Sequence, residues 1–203
     1  GCSNPLLNWL HESARRSQMA YDTYLPSDPT REYKAWMEDP QNMFCSAVYL
    51  YDSRAMYERW QHDMLDCQAP DGNGSGSAPG PTFDEYNSPW WGGCLVWVPW
   101  HWYLYYGDAS LLAESYEPMK RYVDYLGRVG KDEMQDWGLG DWMAVEETPR
   151  AIVNTPAYYL YARIVAQSAE ILGHADDAAR YSERAKLIRE KFNSKFFNEA
   201  NGI

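Results

Sequence analysis

The sequence predicts an all-α protein of the (α/α)6-toroid type, with about seven helices making roughly half of such a ring. Three observations lead there. Start signals in which Asn or Asp precedes Pro recur at the heads of apolar-periodic stretches. Strongly apolar helical stretches alternate with charged, amphipathic ones, as the inner and outer layers of a ring would. No stretch reads as a convincing strand. Part of a ring has an apolar edge at each end, so residues 1–203 are expected to be one piece of a single domain. That domain is expected to begin before Gly1 and to continue past Ile203, inside a larger multidomain protein.

The helices follow in order. "SNPLLNWLHESARRSQMAY" opens with Asn4 as the capping residue and Pro5 at the first helical position, and sets Leu6, Leu7, Leu10 and Ala14 on one stripe. "DPQNMFCSAVYLY" repeats the device with Asp39 and Pro40. "DSRAMYERWQHDML" comes almost at once, which predicts an antiparallel hairpin of the two. "WWGGCLVWVPWHWYLYYGD" is apolar all round, the pattern of a buried inner helix, and Pro99 should kink or break it. "DASLLAESYEPMKRYVDYLGRVG" is a long amphipathic helix stopped by glycine. "NTPAYYLYARIVAQSAEILG" and "ADDAARYSERAKLIREKFNSKF" form a further hairpin, the second with a solvated charged face on which Glu183 pairs locally.

Two connections are long. Residues 69–90 are rich in Gly, Ser and Pro, so the segment is either disordered or a functional loop. Residues 130–150 combine Trp with acids. Joined by short turns on one side and long loops on the other, the helices would carry both loops at the same end of the ring.

Composition narrows the function classes. A net charge of −11 argues against nucleic-acid or anionic-membrane partners, which need clustered Lys and Arg. No apolar run reaches the ~18 residues of a membrane span. Ten Trp and seventeen Tyr fit either rings stacked on neutral ligands such as sugars or a helical core built from aromatics. Cys2, Cys45, Cys67 and Cys94 lie far apart, and with four scattered His they form no metal-ligand spacing, so no cofactor is predicted. Calcium remains compatible, although no oxygen cage is legible.

Three loops carry the residue types that sugar chemistry uses: carboxyls for proton transfer, polar groups for hydroxyls, and a flat apolar plate. "TREYKAWMED" supplies Glu32, Glu38 and Asp39, the cation Arg31 and the plate Trp36. The same residues also fit a charged connection whose Asp39 merely caps the next helix. "NSPWWGG" sets Trp90 and Trp91 before two glycines that let the backbone approach a ligand, or simply pack a turn. "DWGLGDWM" places Asp136, Trp137, Asp141 and Trp142 in a Gly-softened loop. Convergence of the three at one end of a ring predicts a carbohydrate site. His101 and the Tyr158, Tyr159 and Tyr161 cluster read as core packing instead.

At these residues the chain resembles the catalytic domain of glycoside hydrolase family 78, the α-L-rhamnosidases. "DPTREYKAWMED" resembles that family's Asp-Cys-Pro-(Thr/His/Gln)-Arg-Glu-x-x-Gly-Trp-x-x-Asp segment. "NPLLNWLHE", "SPWWGGCLVWVPWHWYLYYGD", "MKRYVDYL", "GLGDWM" and "FFNEANGI" follow in the family's order. The resemblance implies Glu32 as general acid, with Asp28, Arg31, Trp36 and Asp39 binding sugar. It places Trp91 and Trp142 as aromatic walls, with Asp141 beside them. The chain departs from the pattern at Ser27, where the family has Asp, at Ala35 for the motif glycine, and at Gly93, where the family often has an acid.

The resemblance further implies an inverting hydrolase that removes terminal rhamnose from a polysaccharide or glycoconjugate, with a secreted or periplasmic address. Its general base would lie in the later half of the ring, so residues 1–203 alone are expected to be inactive. Two rivals stand beside this: a polysaccharide lyase on the same toroid, for which these loops carry few cations, and a non-catalytic helical scaffold or sugar-binding module.

Overall fold

The computed structural model describes residues 1–22, 34–80, 87–200 and 202. Among them are eight helices: α1 (Pro5–Tyr21), α2 (Glu38–Leu50), α3 (Arg54–Asp66), α4 (Pro89–Gly92), α5 (Cys94–Tyr106), α6 (Ser110–Val129), α7 (Arg150–Leu172) and α8 (Ala175–Phe196). The described residues contain no strand; isolated bridges join Trp36 to Ser77 and Lys131 to Met134. The all-α class is as the sequence predicts.

α1 starts as expected. Asn4 Oδ1 accepts from the N–H groups of Leu6 (2.9 Å) and Leu7 (3.4 Å), with Pro5 leading the helix. Its stripe does not bury, however: Leu6, Leu7 and Leu10 are exposed, and Gln18 is the buried residue. α1 packs mainly on α2, and no described helix covers its apolar face.

α2 corrects a second expectation. Asp39 is not the cap: the helix begins at Glu38, and Met37 holds the capping position without a side-chain bond. Met37 is fully buried and its N–H donates to the Gly76 carbonyl (3.0 Å), which fixes the chain and lets the helix start earlier. Glu38 and Asp39 thus sit in the first turn, where exposed N–H groups favour negative charge. α2 and α3 meet edge-to-face through Phe44 and Tyr57 (4.6 Å), yet each makes its main helix contact with α5 rather than with the other.

The predicted inner helix is two helices, which is why eight replace seven. The break lies at Gly93, not at Pro99. A side chain at 93 would run into the ring of Tyr161, so this position must be bare. Pro99 instead stays inside a continuous α5. Its missing N–H orphans the carbonyl of Leu95, and the buried Gln61 repairs the loss: its Nε2 donates to Leu95 O (3.0 Å) and to Ser115 Oγ (3.1 Å).

The remaining helices pair as predicted, α5 with α6 and, most extensively, α7 with α8. Gly107 and Gly173 close α5 and α7 in the left-handed conformation. α6 buries Leu111, Leu112, Tyr116, Met119, Tyr122, Val123 and Leu126, a helical stripe. α7 begins at Arg150, upstream of the expected start, and buries residues on several sides, as an inner helix does. On the solvated face of α8, Lys186 pairs with Glu183 at 3.4 Å. The core is rich in aromatics, with Phe44, Tyr57, Trp60, Trp102, Tyr122, Tyr158, Tyr161 and Tyr181 fully buried, so these rings serve packing. The four cysteines are free thiols.

Residues 69–80 are ordered and mostly buried, not disordered. Gly74 lies against the backbone of Gly92, where a Cβ would collide. Ala78 O accepts from Trp60 Nε1 (2.7 Å) and Gln68 Nε2 donates to Pro118 O (2.9 Å).

Gln61→Leu is expected to lower stability by about 1–3 kcal/mol, because the Leu95 carbonyl stays buried without a donor. Pro99→Ala in that background should recover part of the loss by restoring the helix N–H. Urea denaturation of the single and double variants measures both.

Candidate active site

The site begins where the motif segment meets the buried Gly/Ser stretch. Ala78 N–H donates to Ala35 O and Met37 N–H to Gly76 O, both at 3.0 Å, so residues 35–37 lie as a short antiparallel rung on 76–78. Ala35 and Met37 point into the core, and the half-buried Trp36 lies between them on the opposite side. Lys34 Nζ stands 4.0 Å from the Trp36 ring centroid.

The second loop is fixed on the same support. Asn87 Nδ2 donates to Gly74 O (2.8 Å), and Tyr122 OH donates to Pro89 O (2.8 Å). Trp90 Nε1 donates to Val153 O of α7 (3.0 Å). The Trp90 carbonyl accepts from Gln41 Nε2 of α2, and Tyr161 OH donates to Gln41 Oε1 (3.1 Å) while lying 3.4 Å from that carbonyl.

The third loop joins them through its first half. Gln135 N–H donates to Thr155 Oγ1 (3.0 Å), Gln135 Nε2 to Leu126 O (2.9 Å), and Trp137 Nε1 to Gln135 Oε1 (2.7 Å). Asn154 Nδ2 donates to Trp137 O (2.6 Å). Gly138, at φ +82°, lies so close to Asn87 and Ser88 that a Cβ would crowd them. The three Trp-bearing loops therefore converge on the α4–α5 break.

The predicted site residues separate into groups. Trp36, Asp39 and Trp91 belong to this convergence, Asp39 half-buried in the first turn of α2 and Trp91 buried at 8% exposure. Asp141 and Trp142 lie on the outer half of their loop, Trp142 56% exposed, with Thr148 Oγ1 3.4 Å from Asp141 Oδ2. The loop thus brings Gly138, next to Trp137, onto the Asn87–Ser88 turn. Ser27, Asp28, Arg31 and Glu32 lie outside the described residues.

The electrostatics are those of carboxyls leaving water. Burial raises the pKa of Glu38, opposed by the hydrogen bond from Asn42 Nδ2 (3.1 Å) and reinforced by the charge on Asp39. Asp22, at the end of α1, is pushed up to about 6 by burial, against the hydrogen bond from Gln18 Nε2. The neighbouring Tyr21 phenol is driven far up, first by burial and then by the charge of Asp39. α1 is tied along the later part of α2, where Ser46 Oγ donates to Gln18 Oε1 (3.3 Å) and Tyr51 OH to Arg15 O.

Sequence reasoning missed Asp22, Gln41 and Asn154. A glutamine or asparagine inside a helix carries no pattern that distinguishes a buried tie from a surface residue. His101 is a packing residue as read, stacked on Trp97 at 3.4 Å with Nδ1 2.9 Å from the Trp97 carbonyl. A separate cavity of about 250 Å³ lies between α7 and α8, with Tyr159, Arg163, Lys186 and Arg189 among its lining residues. No carboxyl lines it, so it offers no acid–base chemistry on a sugar. Among the described residues no group of three or more His, Cys, Asp and Glu is arranged to hold a metal ion, and no helix is long and apolar enough to cross a membrane.

Paired inner and outer helices, with Trp- and acid-bearing loops gathered at one end, define a helical-toroid glycosidase domain. Comparison makes this specific: the family model of the bacterial alpha-L-rhamnosidase 6 hairpin glycosidase domain matches residues 1–203. The chain belongs to this family. The alpha-L-rhamnosidase of Streptomyces avermitilis is 30% identical over 196 residues, covering 95% of this chain and 19% of that protein. The alpha-L-rhamnosidase of Alteromonas sp. is 24% identical over 211 residues, covering 97% of this chain and 23% of that protein. The chain thus spans about a fifth of the length of these relatives. Among solved structures, the alpha-L-rhamnosidase of Dictyoglumus thermophilum superposes with a TM-score of 0.90 at 30% identity, covering 98% of this chain and 23% of that one. The Streptomyces avermitilis enzyme complexed with L-rhamnose gives 0.90 at 28% identity, covering 98% and 20%.

The raised Asp22 carboxyl means that the native chain holds more protons than the unfolded one between the ordinary value of 3.8 and about 6. Stability therefore falls as pH rises through that window, and the full penalty is present above it. Asp22→Asn is expected to stabilise the protein near pH 7.5 by on the order of 1 kcal/mol, after discounting for its solvent contact. The gain should vanish near pH 4, as thermal melts across pH would record.

Proposed function

We propose that these residues carry the acid side and much of the sugar pocket of an inverting α-L-rhamnosidase. The observation that carries the reading is the convergence of the Trp36–Asp39, Asn87–Gly93 and Trp137–Gly138 segments on one end of the helical layers. In support, a relative that superposes along nearly the whole chain was solved with L-rhamnose bound.

In this reading Glu32 protonates the leaving oxygen, and a carboxylate from the later part of the ring activates water on the opposite face of the sugar. An inverting pair stands roughly 6.5–9.5 Å apart to leave room for that water. Trp36 is the plate under the sugar ring. Asp39 accepts from its hydroxyls, its charge favoured by the N–H groups of the α2 first turn. Asp28 and Arg31 complete the polar contacts to the sugar, and the acid role requires Glu32 to hold its proton near neutrality. Trp91, Asp141 and Trp142 form the far wall. The substrate is a terminal rhamnose on a polysaccharide or glycoconjugate, met outside the cytoplasm, and no cofactor is required. With the base elsewhere, residues 1–203 alone are inactive.

The test is release of nitrophenol from a panel of aryl glycosides, α-L-rhamnoside included, by the full-length protein. Glu32→Gln is expected to lower kcat by on the order of 10²–10⁴-fold while L-rhamnose still binds. Asp39→Asn is expected to lower kcat/KM by roughly 10–100-fold, mainly through binding. Near-normal turnover in Glu32→Gln would remove that residue from the chemistry.

A further inference from the structure

We infer that Gln41 and Tyr161 are positioning residues that set the Trp90–Trp91 turn against Asp39 and Trp36, and so set the grip on a bound sugar. The inference rests on the rhamnosidase reading above for the identity of the ligand, and on the network itself for the geometry.

Asp39 and Gln41 share the first turns of α2, about 3 Å apart along the axis at 1.5 Å per residue. Any shift of one is therefore a shift of the other. Gln41 is buried and uses both ends of its amide: Nε2 donates to the Trp90 carbonyl and Oε1 accepts from Tyr161 OH (3.1 Å). The Tyr161 hydroxyl also stands 3.4 Å from the Trp90 carbonyl, so three polar groups from α2, α4 and α7 close on one another. Burial keeps the phenol protonated and hence a donor.

The Tyr161 ring fixes the same turn from below. It fills the space a Gly93 side chain would need, and it meets Trp90 edge-on at 6.1 Å and Tyr122 at 6.0 Å. Tyr122 OH holds Pro89 O, and Val153 O holds Trp90 Nε1. Those ties fix the turn to α6 and α7, elements that carry none of the first loop. The Gln41 amide is the tie from the turn to the helix that bears Asp39. A displacement of ~1 Å between a sugar-holding carboxylate and an aromatic wall is enough to spoil orientation, so the amide–phenol pair sets substrate geometry without touching substrate.

Tyr161→Phe keeps the ring against Gly93 and removes only the hydroxyl; Gln41→Leu removes both amide bonds. In the full-length enzyme Tyr161→Phe is expected to raise KM for the aryl rhamnoside about tenfold, with kcat changed less than about threefold. Hydrogen exchange in residues 87–93 should accelerate by a similar factor, while Tm moves by only about 3 °C. Gln41→Leu should do the same, and the double variant should add little to either. Unchanged KM and unchanged exchange overturn the inference, as does a loss of kcat and KM that merely follows a large fall in Tm. If the unsubstituted enzyme neither turns over nor binds rhamnose, the functional reading fails. Exchange then decides the tie by itself: faster exchange in Tyr161→Phe upholds it, and unchanged exchange rejects it.

Discussion

The ring of Tyr161 lies where a side chain on residue 93 would have to be, and much of the site end follows from that contact. Because Gly93 is bare, α7 comes right up to the backbone between α4 and α5. The inner apolar stretch breaks there rather than at its proline, and the turn of paired tryptophans is thrown outward toward the first turn of α2. Glycine here is a packing requirement: no other residue leaves room for an aromatic ring directly against the main chain.

A second consequence concerns backbone polarity. A helical layer of this kind has little tolerance for an orphaned carbonyl in its interior. Pro99 creates one inside α5, and Gln61 reaches across from α3 to satisfy it. The Gly/Ser stretch solves the related problem of a buried irregular segment. Its carbonyls are taken by Trp60, Asn87 and the N–H of Met37, and its small residues let it slide beneath α4. The result is a floor on which the Trp36 segment rests through two backbone hydrogen bonds. Precision at the site thus comes from buried main chain, not from the exposed loops above it.

The acidic groups show a gradient that matches this layout. Glu38 and Asp22 are pushed toward their protonated forms by burial, whereas Asp39 sits where a helix start favours its charge. The exposed apolar stripe of α1 and the flank of α7 and α8 are, by contrast, surfaces of the layers that the described helices do not cover.

The sequence by itself determined the helical class, the α5–α6 and α7–α8 pairs, and the start of α1 by Asn4 and Pro5. These depend on period and capping chemistry, which act over a few residues. It also singled out three Trp- and acid-bearing loops as candidates for the site, because residue type is visible without coordinates. Tertiary structure decided the rest. It placed the break at Gly93, made Asp39 a first-turn residue, turned the Gly/Ser stretch inward, and set Gly138 against the Asn87–Ser88 turn. It also tied Gln41 and Asn154 to the backbones of two of the loops. Each of these depends on which backbone or ring arrives from a distant part of the chain, and no local pattern encodes that arrival.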